Sequence, residues 1–125
     1  MTLASADLVA FMPATDLERA KAFYAGALGL RLIDDSPFAA VFDANGTTLR
    51  VTQVGEFTPL PFTVLGWVVP DVATTIDRAI AVGVVFRRFD GMEQDDRGVW
   101  KAPGGALVAW FNDPDGNVLS VTQLL

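Results

Sequence analysis

The stretch Leu107 to Gln123 (LVAWFNDPDGNVLSVTQ) leaves a chain few ways to fold. Asp113-Pro-Asp-Gly-Asn117 sets a hard turn between two apolar runs, so the flanks read as two strands or one bent hairpin. If a ligand site is built across that sheet, its last polar groups fall at Ser120 and Gln123.

The rest of the chain repeats one pattern. Leu8 to Met12 is an apolar run ending at Pro13, the profile of a central strand leaving its sheet. Thr15 with Glu18 forms a capping box, and Asp16 adds an acid to the first turn of a helix. Leu17, Ala20, Tyr24 and Leu28 give that helix an apolar stripe, and Gly29 stops it. Strands follow at Leu30 to Ile33, Phe38 to Phe42 and Thr47 to Gln53, the last two joined by a tight Asn45-Gly46 turn. Val54 to Pro61 is a connector. Then a strand ends at Pro70, Asp71 caps a second helix, Gly83 stops it, and Val84 to Phe89 reads as a strand. After a polar, flexible loop at Asp90 to Gly98 come Val99 to Lys101, Ala106 to Phe111 and Val118 to Gln123. Pro13, Asp16 and Gly29 have counterparts in Pro70, Asp71 and Gly83 at an offset of about 55 residues, with two residues of difference before the helix and one within it.

This organisation is α+β. One domain spans residues 1–125, with a first βαβββ module at 7–53, a connector at 54–61 and a second βαβββ module at 62–125. The expected architecture is a U-shaped, partly open mixed sheet around a cleft, with helices on the outer face. The longest apolar run, Phe62 to Val69, is strand length, well short of the roughly 20 residues of a membrane span. A net charge of -6 and no basic cluster beyond Arg87-Arg88 argue against nucleic acid as a partner. With no cysteine and no signal-like start, a cytoplasmic location is expected.

The run Leu8 to Leu30, the echo Trp67-Val-Val-Pro-Asp71 and above all Phe111-Asn-Asp-Pro-Asp-Gly-Asn117 resemble the vicinal oxygen chelate superfamily, which includes glyoxalase I, extradiol dioxygenases and the bleomycin and fosfomycin resistance proteins. The resemblance implies paired βαβββ modules, a cleft, a homodimer and, commonly, a divalent metal that chelates vicinal substrate oxygens. The metal positions it implies fall at or near Val9 and Val64, near Arg50 and at Ser120. Valine cannot ligate, serine is a poor ligand and arginine repels a cation; the chain also has no histidine. No metal site and no cofactor are therefore expected. A base at neutral pH would have to be a shifted carboxylate or lysine, and nucleophilic cysteine chemistry is excluded.

What remains is a pocket of aromatic and hydrogen-bonding side chains: Arg50, Thr52, Trp67, Trp100, Trp110, Ser120 and Phe38. Arg50 is the sharpest candidate. Turned inward it implies an anionic ligand or a protein carboxylate, and turned outward it is a solvated strand residue. Thr52 shares its face and Gln53 does not. For Trp67 and Trp110 a core or dimer-interface role ranks above ligand stacking, whereas Trp100, beside the flexible loop, stands near even. The leading expectation is a metal-independent small-molecule binding protein resembling the bleomycin-resistance type. The alternative is a glyoxalase-like lyase or isomerase with a non-histidine site, which requires acids converging in one cleft, and a purely structural or partner-binding domain ranks third.

Overall fold

The structure is a computed structural model that describes residues 2–125. The chain divides into two compact units, one running to Phe57 and the other from Thr58 to Leu125.

The first unit holds strand β1 (Val9–Ala14), helix α1 (Leu17–Lys21) continuing into a π-helical segment (Ala22–Ala27), and strands β2 (Arg31–Asp35), β3 (Ala39–Ala44) and β4 (Thr47–Gln53). The sheet order is β1-β4-β3-β2, with β1 parallel to β4 and the other pairs antiparallel. β1 is thus an edge strand and not a central one, and that position lets it contain Pro13, whose missing N–H a central strand could not spare. The helix cap is Asp16, not Thr15: Asp16 Oδ1 accepts from the Arg19 amide at 3.2 Å, while Thr15 Oγ1 accepts from the Arg19 guanidinium. Leu17, Ala20 and Tyr24 are buried with Met12, Phe42, Leu49 and Val51, and the Tyr24 and Phe42 rings lie 5.8 Å apart.

The extra residue of the first helix relative to the second has a visible home. Leu28 N–H donates to the Phe23 carbonyl, five residues back, at 2.9 Å, so the surplus residue is absorbed by π-type winding before Gly29 (φ +76°) ends the helix. Asn45 and Gly46 both have positive φ, as a two-residue hairpin turn demands, and Asp43 accepts from the Gly46 amide. Phe38 lies just outside β3, and Asp34 and Asp35 belong to β2, not to a turn.

The second unit holds β5 (Thr63–Val68), α2 (Val72–Ala81), β6 (Trp100–Lys101), β7 (Leu107–Asn112) and β8 (Val118–Gln123), in the order β5-β8-β7-β6. β5 is parallel to β8 and the remaining pairs are antiparallel, so the pairing plan of the first unit recurs. Both sheets are four-stranded and mixed, with a helix on one face, which makes the protein α+β. Asp71 caps α2 through the Ala73 and Thr74 amides, and Val72 and Ile76 are buried with Phe111, Leu119 and Val121. The strand expected over Val84 to Phe89 reduces to a single bridge, Phe86 to Phe111.

A further correspondence joins the units. Gln53, at the end of β4, donates to the Thr15 carbonyl before α1, and Gln123, at the end of β8, accepts from the Val72 amide that opens α2. In each module the last strand is tied by a glutamine to the start of its own helix.

Candidate functional site

Strand alternation and register decide which side chains leave the helix-covered face of each sheet. In the first unit Met12, Leu49, Val51, Ala40 and Phe42 face the helix. The opposite face carries Phe11, Arg50, Val41 and Asp34 in one row and Pro13, Thr52 and Ala39 in the next. Arg50 and Thr52 therefore share this open face, and both are half-buried. Phe11 beside Arg50 is 67% exposed, whereas Val41 on its other side is buried. Among the described residues Arg50 has no ion-pair partner; the bridges of this unit are Lys21 with Glu18 and Asp35, and Arg31 with Asp43. Asp43, the acid in register with Thr48, is already committed: the Gly46 amide first and Arg31 second hold its carboxyl below the usual carboxylate range. Phe38, 74% exposed and ahead of β3, does not join the Arg50 row.

In the second unit the open face carries Gly66, Ser120 and Trp110 in one row and Val68, Thr122, Val108 and Trp100 in the next. Ser120 is 8% exposed, and a Cβ on Gly66 would lie 2.6 Å from its hydroxyl, so the missing side chain of Gly66 makes the space Ser120 fills. Trp110 and Trp100 pack at 6.0 Å, and the Trp110 indole N–H donates to Thr63 Oγ1 at 2.9 Å. Trp67 sits on the other face, in register with buried Val121 and Ala109, and is separated by its own sheet from Trp100, Trp110 and Ser120.

Two cavities complete the picture. One of about 640 Å³ in the first unit is lined by Thr15, Glu18, Lys21, Asp35 and Gln53. Its cation is neutralised: Glu18 and Asp35, at 2.6 and 2.9 Å, hold the Lys21 ammonium above its ordinary pKa. The other, about 230 Å³, lies in the second unit between Phe62, Thr63, Arg87, Phe89, Met92 and Trp110. Apart from Trp110, its lining was not marked by the sequence. The Arg87-Arg88 pair gave the only signal, and it spoke of charge, not of a pocket.

The Asp113 turn sits at the end of the β7–β8 pair. Asp113 Oδ1 accepts from the Asp115 and Asn117 amides at 3.0 and 2.9 Å, and Oδ2 accepts from Asn117 Nδ2 at 2.8 Å. Asn112 Nδ2 reaches the Gly116 and Asn117 carbonyls, so both ends of the loop are pinned by side chains.

A model of the Glyoxalase/Bleomycin resistance protein/Dioxygenase superfamily matches residues 7–121. The chain belongs to this superfamily. Solved structures of similar fold include a lactoylglutathione lyase from Agrobacterium tumefaciens (20% identity, covering 98% of this chain and 96% of that one, TM-score 0.74). TioX from Micromonospora sp. ML1 is 22% identical over 97% of this chain and 100% of its own, with a TM-score of 0.72. A superfamily enzyme from Burkholderia phytofirmans PsJN is 20% identical over 96% of this chain and 100% of its own, with a TM-score of 0.75. At such identities the likeness is one of fold. No curated protein matches the sequence.

The superfamily's metal does not fit the residues present. Arg50, at one implied ligand position, projects a fixed positive charge from the open face; Val9 lies on that same face and Val64 in a β-bulge of β5. Ser120 offers a neutral hydroxyl. Among the described residues no three His, Cys, Asp or Glu side chains group as a metal would require. No helix is long and apolar enough to cross a membrane.

Proposed function

We propose that the protein binds a small molecule without a metal ion, in the manner for which the bleomycin-resistance members of its superfamily are named, and that the ligand carries an anionic group. The observation that carries this reading is Arg50: a half-buried arginine on the open sheet face, set between Phe11 and Val41, with no ion pair among the described residues. An arginine so placed presents a planar fork of donors suited to carboxylate or phosphate. Thr52 supplies a hydroxyl on the same face. On the second sheet Trp100, Trp110 and Ser120 form the other candidate surface. Trp67 and Phe38 are left out of the proposed contact set because neither shares a face with these groups.

The lyase or isomerase reading requires acids that converge; on the first open face Asp43 is held by its own turn and by Arg31, and Asp34 lies on β2 beyond Val41, its Oδ1 accepting from the Asp35 amide. A homodimer and a cytoplasmic location belong to the same proposal. The exposed β2 edge gives the dimer a physical motive.

The test is a screen of small anions and their neutral isosteres against the full chain by native mass spectrometry, repeated with Arg50→Gln. The expected result is at least one anion bound one per chain, weakened about 10-fold or more by R50Q, as loss of a charge-assisted pair implies. Binding of anions and neutral isosteres alike, unchanged in R50Q, contradicts the assignment.

A further inference from the structure

The segment after α2 contains the least expected chemistry in the molecule. Phe86 bridges Phe111, and the Arg87 amide donates to the Trp110 carbonyl at 2.8 Å, so residues 87 and 89 alternate onto the same side as the Trp110 ring. Phe89 meets Trp110 edge-on with centroids 5.5 Å apart, and the Arg87 guanidinium lies over the Phe89 ring at 4.8 Å. With Phe62 and Met92 these side chains line the 230 Å³ cavity, in which Arg87 is the sole charged lining residue among the described residues. Among the described residues Arg87 has no carboxylate partner and its guanidinium donates no hydrogen bond. The Thr63 hydroxyl accepts from the Trp110 indole N–H.

This arrangement is built, not incidental. Gln94 Nε2 donates to the carbonyls of Arg87 (3.0 Å) and Gly98 (2.8 Å), and its Oε1 accepts from the Phe89 amide (2.8 Å). One side chain thus clamps the backbone on both sides of residue 88 and ties it to the end of the loop. Arg88 adds a contact to the Asp95 carbonyl. The loop expected to be flexible is therefore an organised support for Arg87 and Phe89.

Resting on the small-molecule reading above, we infer that this cavity takes a small planar aromatic carboxylate. Its ring packs against Trp110, Phe62 and Met92, its carboxylate pairs with the Arg87 guanidinium, and Gln94 is the positioning residue. Apolar planar walls with one unpaired planar cation suit that ligand better than a neutral or cationic one. The volume lies below the roughly 300 Å³ at which drug-sized sites begin, which limits the ligand to one or two rings.

The test uses the ¹⁵N-labelled full chain, with the Trp110 indole resonance assigned through W110F, titrated with 2-naphthoate and separately with neutral 2-naphthamide. The expected result is a saturable shift of the Trp110 indole by 2-naphthoate, with 2-naphthamide about 10-fold or more weaker. R87Q should reduce the carboxylate to the level of the amide. Q94A should weaken 2-naphthoate while the Phe89 and Gly98 amide resonances move even without ligand. Equal binding of the two probes, or an R87Q protein that binds 2-naphthoate unchanged, overturns the inference. If 2-naphthoate binding is lost in R50Q but kept in R87Q, this cavity is wrong and the small-molecule reading stands. If R87Q behaves as expected while the anion screen shows no dependence on Arg50, the Arg50 assignment falls alone.

Discussion

Replacing Asp113 by alanine removes the acceptor around which the β7–β8 turn is wound. Asp113 is 6% exposed, and its carboxylate accepts from the Asp115 amide, the Asn117 amide and the Asn117 side chain. The Asp115 amide is half-buried, and water can replace what it loses. Asn117, by contrast, is 4% exposed, so its amide and side-chain N–H lose a charged acceptor where solvent reaches poorly. At about 1–2 kcal/mol for each of those two buried donors, Asp113→Ala should cost about 3 kcal/mol. For a chain of this size that corresponds to a fall in Tm of about 12 °C. All three tryptophans, Trp67, Trp100 and Trp110, lie in the second unit, so urea unfolding followed by tryptophan fluorescence reads the affected unit directly. Asp96→Ala in the exposed part of the loop is the control and should stay within about 0.5 kcal/mol of the parent. A loss below about 1 kcal/mol for Asp113→Ala would show that the turn stands without its carboxylate.

Gly66→Ala places a Cβ 2.6 Å from Ser120 Oγ and should destabilise by about 1–2 kcal/mol, with Ser120→Ala restoring part of that in the double variant; strict additivity in urea melts would refute the contact. Asp77, paired with Arg97 at 2.9 Å, should titrate below the ordinary 3.8 when followed by NMR and return toward it in Arg97→Gln. Because the folded carboxyl is depressed, the stability it contributes is present above the unfolded value and fades as pH falls through the folded one, and D77N should lack that acid-side loss. A midpoint at or above 3.8 contradicts this.

The features visible in the sequence were those decided by residues close together along the chain. The Asp113 turn, the Asn45-Gly46 hairpin, the Asp71 cap and the stop glycines Gly29 and Gly83 each rest on a side chain or a positive φ within a few positions. What was missed depends on partners far away. Pro13 looked like the end of a central strand because sheet order, which makes β1 an edge, is not written locally. The Val84 to Phe89 strand fails because Gln94 and the edge of β7 hold that segment, apart from the bridge at Phe86, as a support and not as a ladder. The same distance hid most of the second cavity: Arg87, Phe89 and Met92 converge with Trp110 only once the loop is clamped. Arg50 and Thr52 were placed on one face by simple alternation, and register bears that out, whereas Trp67 could not be separated from Trp110 without knowing which face each strand buries.

Calorimetric titration of the full chain with Mn²⁺, Ni²⁺ and Zn²⁺ asks whether the superfamily's fold here works without its metal. Valine at two implied ligand positions, a guanidinium at the third and a serine hydroxyl at the fourth predict no stoichiometric binding of any of the three ions. One ion bound per chain, lost on Ser120→Ala, would contradict it.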